Sequence, residues 1–377
     1  MSNAQAGETR SAPELIRLSG LKPKPVRWLW QHRIPLGKLS IISGDPGVGK
    51  GLLTMDMIAR VSTGTPFPDC LEDDVAVGST LLISGEDDAA DTLLPRLLAA
   101  GGDSERVVVF NDIVEVNSAN EETGRSPFDL DQLDQLVADF HWLDGLRLIV
   151  IDPITAYLSN GTDSHKNSEV RRALLPLQQL AQRTGVAVVL VSHLNKGTSE
   201  NSIHRVMGSL AFTAAARTSY LVVKSRNNPL VRQFLPSKGN VGPEGHGIAY
   251  EVDPVTIEAD GVPIETCRIQ WDPTPLRLTA DEALQQHRGQ RDKDSPVVAW
   301  VRDALSDGGK VLAAQLFEDA EAAGFSKSQV RRALNGIGAS GGPIEYQGPW
   351  AWGLPGAVSE TEKSANSEKS GPSGQED

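Results

Sequence analysis

Short apolar runs alternate with stretches of helical period from about Pro25 to Leu276. Six runs, Lys38–Ser43, Ser79–Ser84, Val107–Phe110, Leu146–Ile151, Val186–Ser192 and Tyr220–Lys224, are short and rich in Val, Ile and Leu, which predicts buried strands. Between them, Leu52–Val61, Ala89–Leu98, Leu130–Phe140 and Ser168–Gln182 carry the spacing of helices. Strands and helices in alternation imply an α/β fold, a mostly parallel sheet flanked by helices on both faces. From Val231 to Ile269 the helical pattern stops and short strand-like runs follow one another, so an antiparallel extension of the same sheet is expected.

Outside this body the pattern changes. Residues 1–22 are polar and aperiodic and are expected to be disordered, as is the Ser-, Glu-, Gly- and Lys-rich tail 356–377. The α/β domain is expected over 23–276 and a hydrophilic linker over 277–294. The block 295–355 reads as three helices and a hairpin. Ser295 and Pro296 open a helix with the stripe Val297, Trp300, Val301, Ala304 and Leu305; a second carries Leu312, Leu316 and Ala320; Ser326 caps a third. In that third helix Val330, Leu334 and Ile337 face inward, with Lys327, Arg331 and Arg332 outward, and a hairpin ending in Trp350 and Trp352 follows. This is the outline of a small winged helix-turn-helix. No internal repeat is visible.

Composition narrows the setting. At 377 residues, 39% hydrophobic and 23% charged, the chain can bury a sizeable core in two or three domains. No run approaches the ~18 apolar residues of a membrane span, and no secretory signal is visible. Two cysteines, Cys70 and Cys267, cannot make a disulfide framework or a zinc cluster, so a reducing cytoplasm is expected. A net charge of -13 argues against coating nucleic acid over the whole surface, and leaves room for local basic patches.

The sharpest chemistry is Gly44-Asp45-Pro46-Gly47-Val48-Gly49-Lys50, placed between an apolar strand and a helix. Glycines let successive N–H groups turn around phosphates, the helix start adds positive potential, and Lys50 reaches the β/γ-phosphates. Gly44 to Leu52 are therefore the candidate ATP-binding residues. Gly51 stands where Ser or Thr ordinarily ligates Mg²⁺. Two readings stay open: water completes the metal shell, as in adenylate kinases, which also place Gly there, or hydrolysis is impaired. Asp152, ending Leu148–Ile151, is the candidate Mg²⁺-holding carboxylate, and Glu86, after Leu81–Ser84, the candidate base that activates water.

In order along the chain stand Arg27-Trp28-Leu29-Trp30, Ile34-Pro35-Leu36-Gly37, the phosphate loop, Ser84-Gly85-Glu86-Asp87 with Arg96, Ile151-Asp152-Pro153, Ser192–Lys196, Gly208-Ser209 and Lys238-Gly239-Asn240. This series resembles the RecA-like AAA-family ATPases related to the plasmid replicative helicase RepA, from Trp28 to about Gly242. The resemblance implies that Glu86 is the catalytic base, Asp152 the Mg²⁺ contact, and Ser192 or His193 the γ-phosphate sensor. It also implies a homo-oligomeric ring in which a neighbour's arginine, Arg217 by position or else Arg226, completes the site. Arg205-Val206-Met207-Gly208-Ser209 departs from the family's usual Arg-Gly-Ser.

In rings of this type the segment 195–209, with Lys196, His204 and Arg205, would face the channel and hold single-stranded DNA. Lys327, Gln329, Arg331 and Arg332, in 326–335, suit a duplex groove. Three functions then compete: an ATP-hydrolysing, helicase-like motor of a plasmid, phage or mobile element; a nucleotide-gated DNA-binding module with little turnover; and a small-molecule kinase. The last lacks the arginine-rich lid it would need.

Overall fold

The computed structural model describes residues 15–354, apart from 72–74, 111–112, 118–121, 127, 129, 134–144, 159–166, 195–209, 244, 260, 294–295, 307–308 and 345–347. The segment 195–209, most of the expected disordered N-terminus and the whole tail 356–377 therefore lie outside the described residues. So do Ser295 and most of the expected helix Leu130–Phe140, of which Leu130–Gln132 forms a 3-10 turn. The chain enters through an exposed arm with one 3-10 turn at Leu18–Gly20, so that part of 1–22 is at least locally ordered.

In chain order the strands of the main body are β1 Trp28–Trp30, β2 Ile34–Pro35, β3 Leu39–Gly44, β4 Ser79–Ser84, β5 Val107–Phe110, β6 Ile113–Val116, β7 Glu122–Ser126, β8 Leu146–Asp152, β9 Ala187–His193, β10 Thr218–Lys224, β11 Val231–Gly239, β12 Gly247–Ala259 and β13 Val262–Leu276. Nine of them form one sheet in the order β13-β12-β11-β10-β3-β9-β8-β4-β5. From β10 to β5 all neighbours are parallel, and β11 to β13 add antiparallel strands at one edge. The expected mixed sheet is thus present. Its central strands are continuous Val/Ile/Leu runs because helices bury both faces. The hairpins β1–β2 and β6–β7 were not anticipated from the sequence.

On one face lie α1, Lys50–Thr63, and α2, Leu94–Ala99, around a core of Leu53, Met57, Ile58, Val150, Val189 and Phe234. The expected helix Ala89–Leu98 begins instead as a single π-turn, Ala89–Leu93, capped by Asp88, whose carboxylate accepts from Ala90 N and Asp91 N. The other face is covered by α3, Asn167–Thr184, whose Val170, Leu174, Leu177 and Leu180 are fully buried, and α4, Leu210–Ala215.

The expected linker is corrected. Residues Ala280–Lys293 form helix α5, because Ala280, Ala283 and Leu284 share one face and bury it against Leu194, Leu221, Val223 and Leu235. Glu282, Gln285 and Gln286 lie on its solvent face, which accounts for the hydrophilic composition there. Beyond it come α6 Pro296–Ala304, α7 Ala313–Ala322 and α8 Lys327–Gly336, with a three-stranded sheet of β14 Val311–Leu312, β15 Ser340–Pro343 and β16 Trp350–Gly353. Val301, Leu316, Ala320, Val330 and Leu334 form its separate core. Leu312 is an exception to the inward stripe: it sits in β14 and is exposed. Ser326 caps α8 through a reciprocal pair with Gln329, so the outward basic face begins at a fixed point.

Candidate functional site

The site is assembled at the carboxyl edge of four adjacent strands. In the order β3-β9-β8-β4, the tips carry the glycine loop, His193, Asp152 and, two residues past β4, Glu86. Register brings them level: Gly44 pairs with His193, and Ser84 with Asp152. Hydrophobic strand interiors thus carry the chemistry only at their ends.

The loop's backbone needs its glycines. Gly49 is left-handed, with φ of 96°, and caps α1. A Cβ on Gly44 would lie 2.6 Å from Val222 O, so no side chain fits there. Lys50 is the first residue of α1 and is buried; its Nζ donates to Gly44 O and Asp45 O, each at 3.1 Å, and lies 3.2 Å from His193 Nδ1. With the ammonium as donor, Nδ1 accepts, which leaves the imidazole proton on Nε2, 3.9 Å from Glu86 Oε1. Lys50 and His193 are in direct contact, with the Glu86 carboxylate 3.9 Å beyond the ring. Ser192, the other sensor candidate, is fully buried and its hydroxyl donates to His193 O instead.

Burial lowers the Lys50 pKa, opposed by Asp152, Asp45 and Glu86. Burial and the Lys50 charge lower that of His193, which keeps the ring neutral near pH 7. Asp152 moves the other way: burial raises it from 3.8 to about 6, with Lys50 opposing and Glu86 and Asp87 adding. Carboxylates crowded together in this way favour a cation among them.

Among the described residues no cluster of three His, Cys, Asp or Glu could hold a metal by itself. Mg²⁺ is commonly held by one or two carboxylates together with substrate phosphates, and Asp152 is the carboxylate beside Lys50 that could take part. A Cβ on Gly51 would meet Asp152 Oδ2 at 3.8 Å and Arg96 Nη1 and Asp87 Oδ2 at 3.9 Å, ordinary contacts that leave room for a serine. Thr54 does not substitute for it, since its hydroxyl donates to Gly51 O. Arg96 is paired to Asp87 at 2.8 Å beside the same spot.

Arg217 is not brought to this site. It is exposed, precedes β10, and donates its N–H to Leu39 O at the opposite end of β3 from Gly44. Arg226, by contrast, follows β10 on the phosphate-loop edge.

Two residues at the loop went unnoticed in the sequence. Arg232 Nε donates to Val48 O at 3.0 Å, and the buried Tyr250 hydroxyl donates to Gly49 O at 3.2 Å. Both come from the antiparallel extension and engage the loop carbonyls of Val48 and Gly49. They lie 184 and 201 positions from their partners, a distance at which no local pattern could announce them.

A glycine loop of this build, opening a helix at a parallel-sheet edge, defines the P-loop NTPase class. Residues 8–199, just over half of the chain, match the family described as AAA domain, and the chain belongs to that family. It is 26% identical over 160 residues to the DNA repair protein RadA of Streptococcus pneumoniae, covering 42% of this chain and 31% of that protein. For RadA of Bacillus subtilis the identity is 27% over 163 residues, covering 42% and 28%. The chain thus spans under a third of the length of these relatives. One solved structure of an ATPase domain overlaps 59% of this chain and 82% of its own at 12% identity and a TM-score of 0.41. No helix among the described residues is long and apolar enough to cross a membrane.

Proposed function

We propose that this protein binds and hydrolyses MgATP as a motor or switch acting on DNA. The observation that carries the reading is the convergence of Lys50, His193, Glu86 and Asp152 from four neighbouring strand tips on one glycine loop. The loop N–H groups and Lys50 would hold the β- and γ-phosphates, and Asp152 would hold Mg²⁺ through water. Glu86, more than half exposed at 62%, is free to take a proton from an attacking water. His193, next to both Lys50 and Glu86, is placed to report whether a γ-phosphate is present. Mg²⁺ would supply charge neutralisation on the phosphate oxygens.

DNA enters the reading through the RadA relatives, whose name states a role in DNA repair. The exposed basic face of α8 is a candidate duplex contact within a winged-helix-like block, although Arg331 also stacks over Phe317 at 5.5 Å. Single-stranded DNA would be held by 195–209. In the ring reading Arg217 acts on a neighbour's nucleotide, the role its distance from its own loop still permits. The alternative, gating without turnover, rests on Gly51. Phosphate release with and without single-stranded DNA, alongside mass measurement in ATP, separates the two. The motor reading expects DNA-stimulated release that is lost in Lys50→Ala. Tight ATP binding with no release would leave only the gating module.

A further inference from the structure

The charge of this protein is unevenly distributed. From Leu15 to Gly44 there is no Asp or Glu, while Arg17, Lys22, Lys24, Arg27, Arg33 and Lys38 give six cations, in a chain whose net charge is -13. Arg33 is spent internally: it is buried and paired with Asp69 at 2.6 Å. The others belong to the arm or to the amino edge of the sheet, opposite the acidic nucleotide edge.

The arm ends at a groove of about 580 Å³, a size that accepts a nucleoside. Its walls include Trp28, His32, Lys238, His246 and Arg277. Trp28 is half-buried, meets His32 edge-on at 5.6 Å and lies over Gly242, where an added Cβ would come within 3.0 Å of the indole. Lys238 is crowded by the charge of Arg217 as well as by burial, and donates only to the backbone carbonyls of Thr213 and Ala216. Among the described residues, Arg17, Lys22, Lys24, Arg27, Arg217 and Arg277 have no carboxylate at ion-pair distance. Among the described residues of the groove wall Asp281 is the acidic group, and Asp69, near His246 at 3.7 Å, is already neutralised by Arg33. A platform ring among uncompensated cations has the chemistry of a site for a polyanion that carries flat bases.

We propose that the arm and this amino-edge groove dock a single nucleic-acid strand, with a base against Trp28 and phosphates against Lys22, Lys24, Arg27 and Arg277. The surface is separate from the nucleotide site. Thr218 lines the groove, whereas the phosphate loop sits beside Val222, about 13 Å further along β10. The proposal extends the DNA-directed reading above without depending on ATP turnover.

The test is fluorescence anisotropy of labelled dT20 and rU20 with the full chain in the absence of nucleotide, between 50 and 200 mM salt. Lys22→Gln/Lys24→Gln/Arg277→Gln changes only exposed side chains. It is expected to weaken binding at least tenfold at low salt and to reduce the log–log salt slope by about 2, at ~0.7 per lost phosphate contact. Trp28→Ala is expected to cost about fivefold or more with the slope unchanged, as a stacking contact should. Preference between the two oligomers says whether the strand is DNA or RNA. The same variants should keep wild-type ATP affinity. Unchanged oligonucleotide binding in both variants overturns the proposal. So does loss of self-association alone, which would mean that the exposed Leu15, Ile16, Leu18 and Leu21 of the arm serve a second copy. A wild type that hydrolyses ATP but ignores both oligomers sinks this proposal and leaves the ATPase reading standing; variant-sensitive binding without hydrolysis does the reverse.

Discussion

Asp152→Asn should make this protein more stable and at the same time inactive. Burial raises the Asp152 pKa from 3.8 to about 6, so the folded state holds its proton more tightly than the unfolded chain does. For an acid shifted upward, the sign is a penalty. It is absent below about pH 3.8, grows as pH rises, and is complete above about pH 6. At 1.36 kcal/mol per unit, a shift of about two units is worth at most about 3 kcal/mol. Asn mimics the neutral acid, and the shift is already net of the attraction to Lys50, so a gain of about 2–3 kcal/mol is expected, or roughly 4–12 °C in Tm. The assay is thermal unfolding of both proteins in EDTA at pH 4, 6 and 8. The difference should be largest at pH 8 and should vanish near pH 4. With saturating MgATP the order should close or invert, since ligand at 100 times its Kd adds about 2.7 kcal/mol to the wild type alone. A variant that is less stable at pH 8, or a gap independent of pH, would refute the electrostatic reasoning and show that the carboxylate is a structural partner.

Other substitutions probe the neighbouring parts. Gly51→Ser should preserve or raise turnover, because its side chain has ordinary contact distances to Asp152, Arg96 and Asp87; a sharp loss would mean that the glycine serves close packing with bound nucleotide. Tyr250→Phe removes one hydrogen bond to the loop, worth about 1 kcal/mol, and should weaken ATP binding about fivefold with kcat little changed; equal affinity would show that the loop needs no such support. Asp69→Ala should cost about 3–5 kcal/mol in a denaturant titration, since it strands the buried Arg33 and also removes the acceptor of Trp30 Nε1. A loss below 1 kcal/mol would mean that water reaches the guanidinium.

The fold and the site were legible to different depths. Six strands and the phosphate loop could be read because buried parallel strands are continuous apolar runs, and a loop that wraps phosphates needs glycines at fixed spacing. The strand-end positions that make Asp152 and Glu86 candidates could be read in the same way. Helix α5 was hidden by its composition, since three buried positions at 280, 283 and 284 lie within a hydrophilic run. The choice between Ser192 and His193 needed register, which shows that only the second reaches Lys50. Arg232 and Tyr250 depend on pairing across the sheet, and no property of their neighbours along the chain marks them.

The most direct test separates binding from chemistry at Glu86. Its carboxylate is 62% exposed and lies 3.9 Å from His193, so Glu86→Gln should bind MgATP with near wild-type affinity. Steady-state phosphate release should fall by about 10²–10⁴, the share a general base contributes. Hydrolysis at the wild-type rate in that variant would contradict the assignment of the water-activating group and, with it, the convergence of the four strand tips as a hydrolytic site.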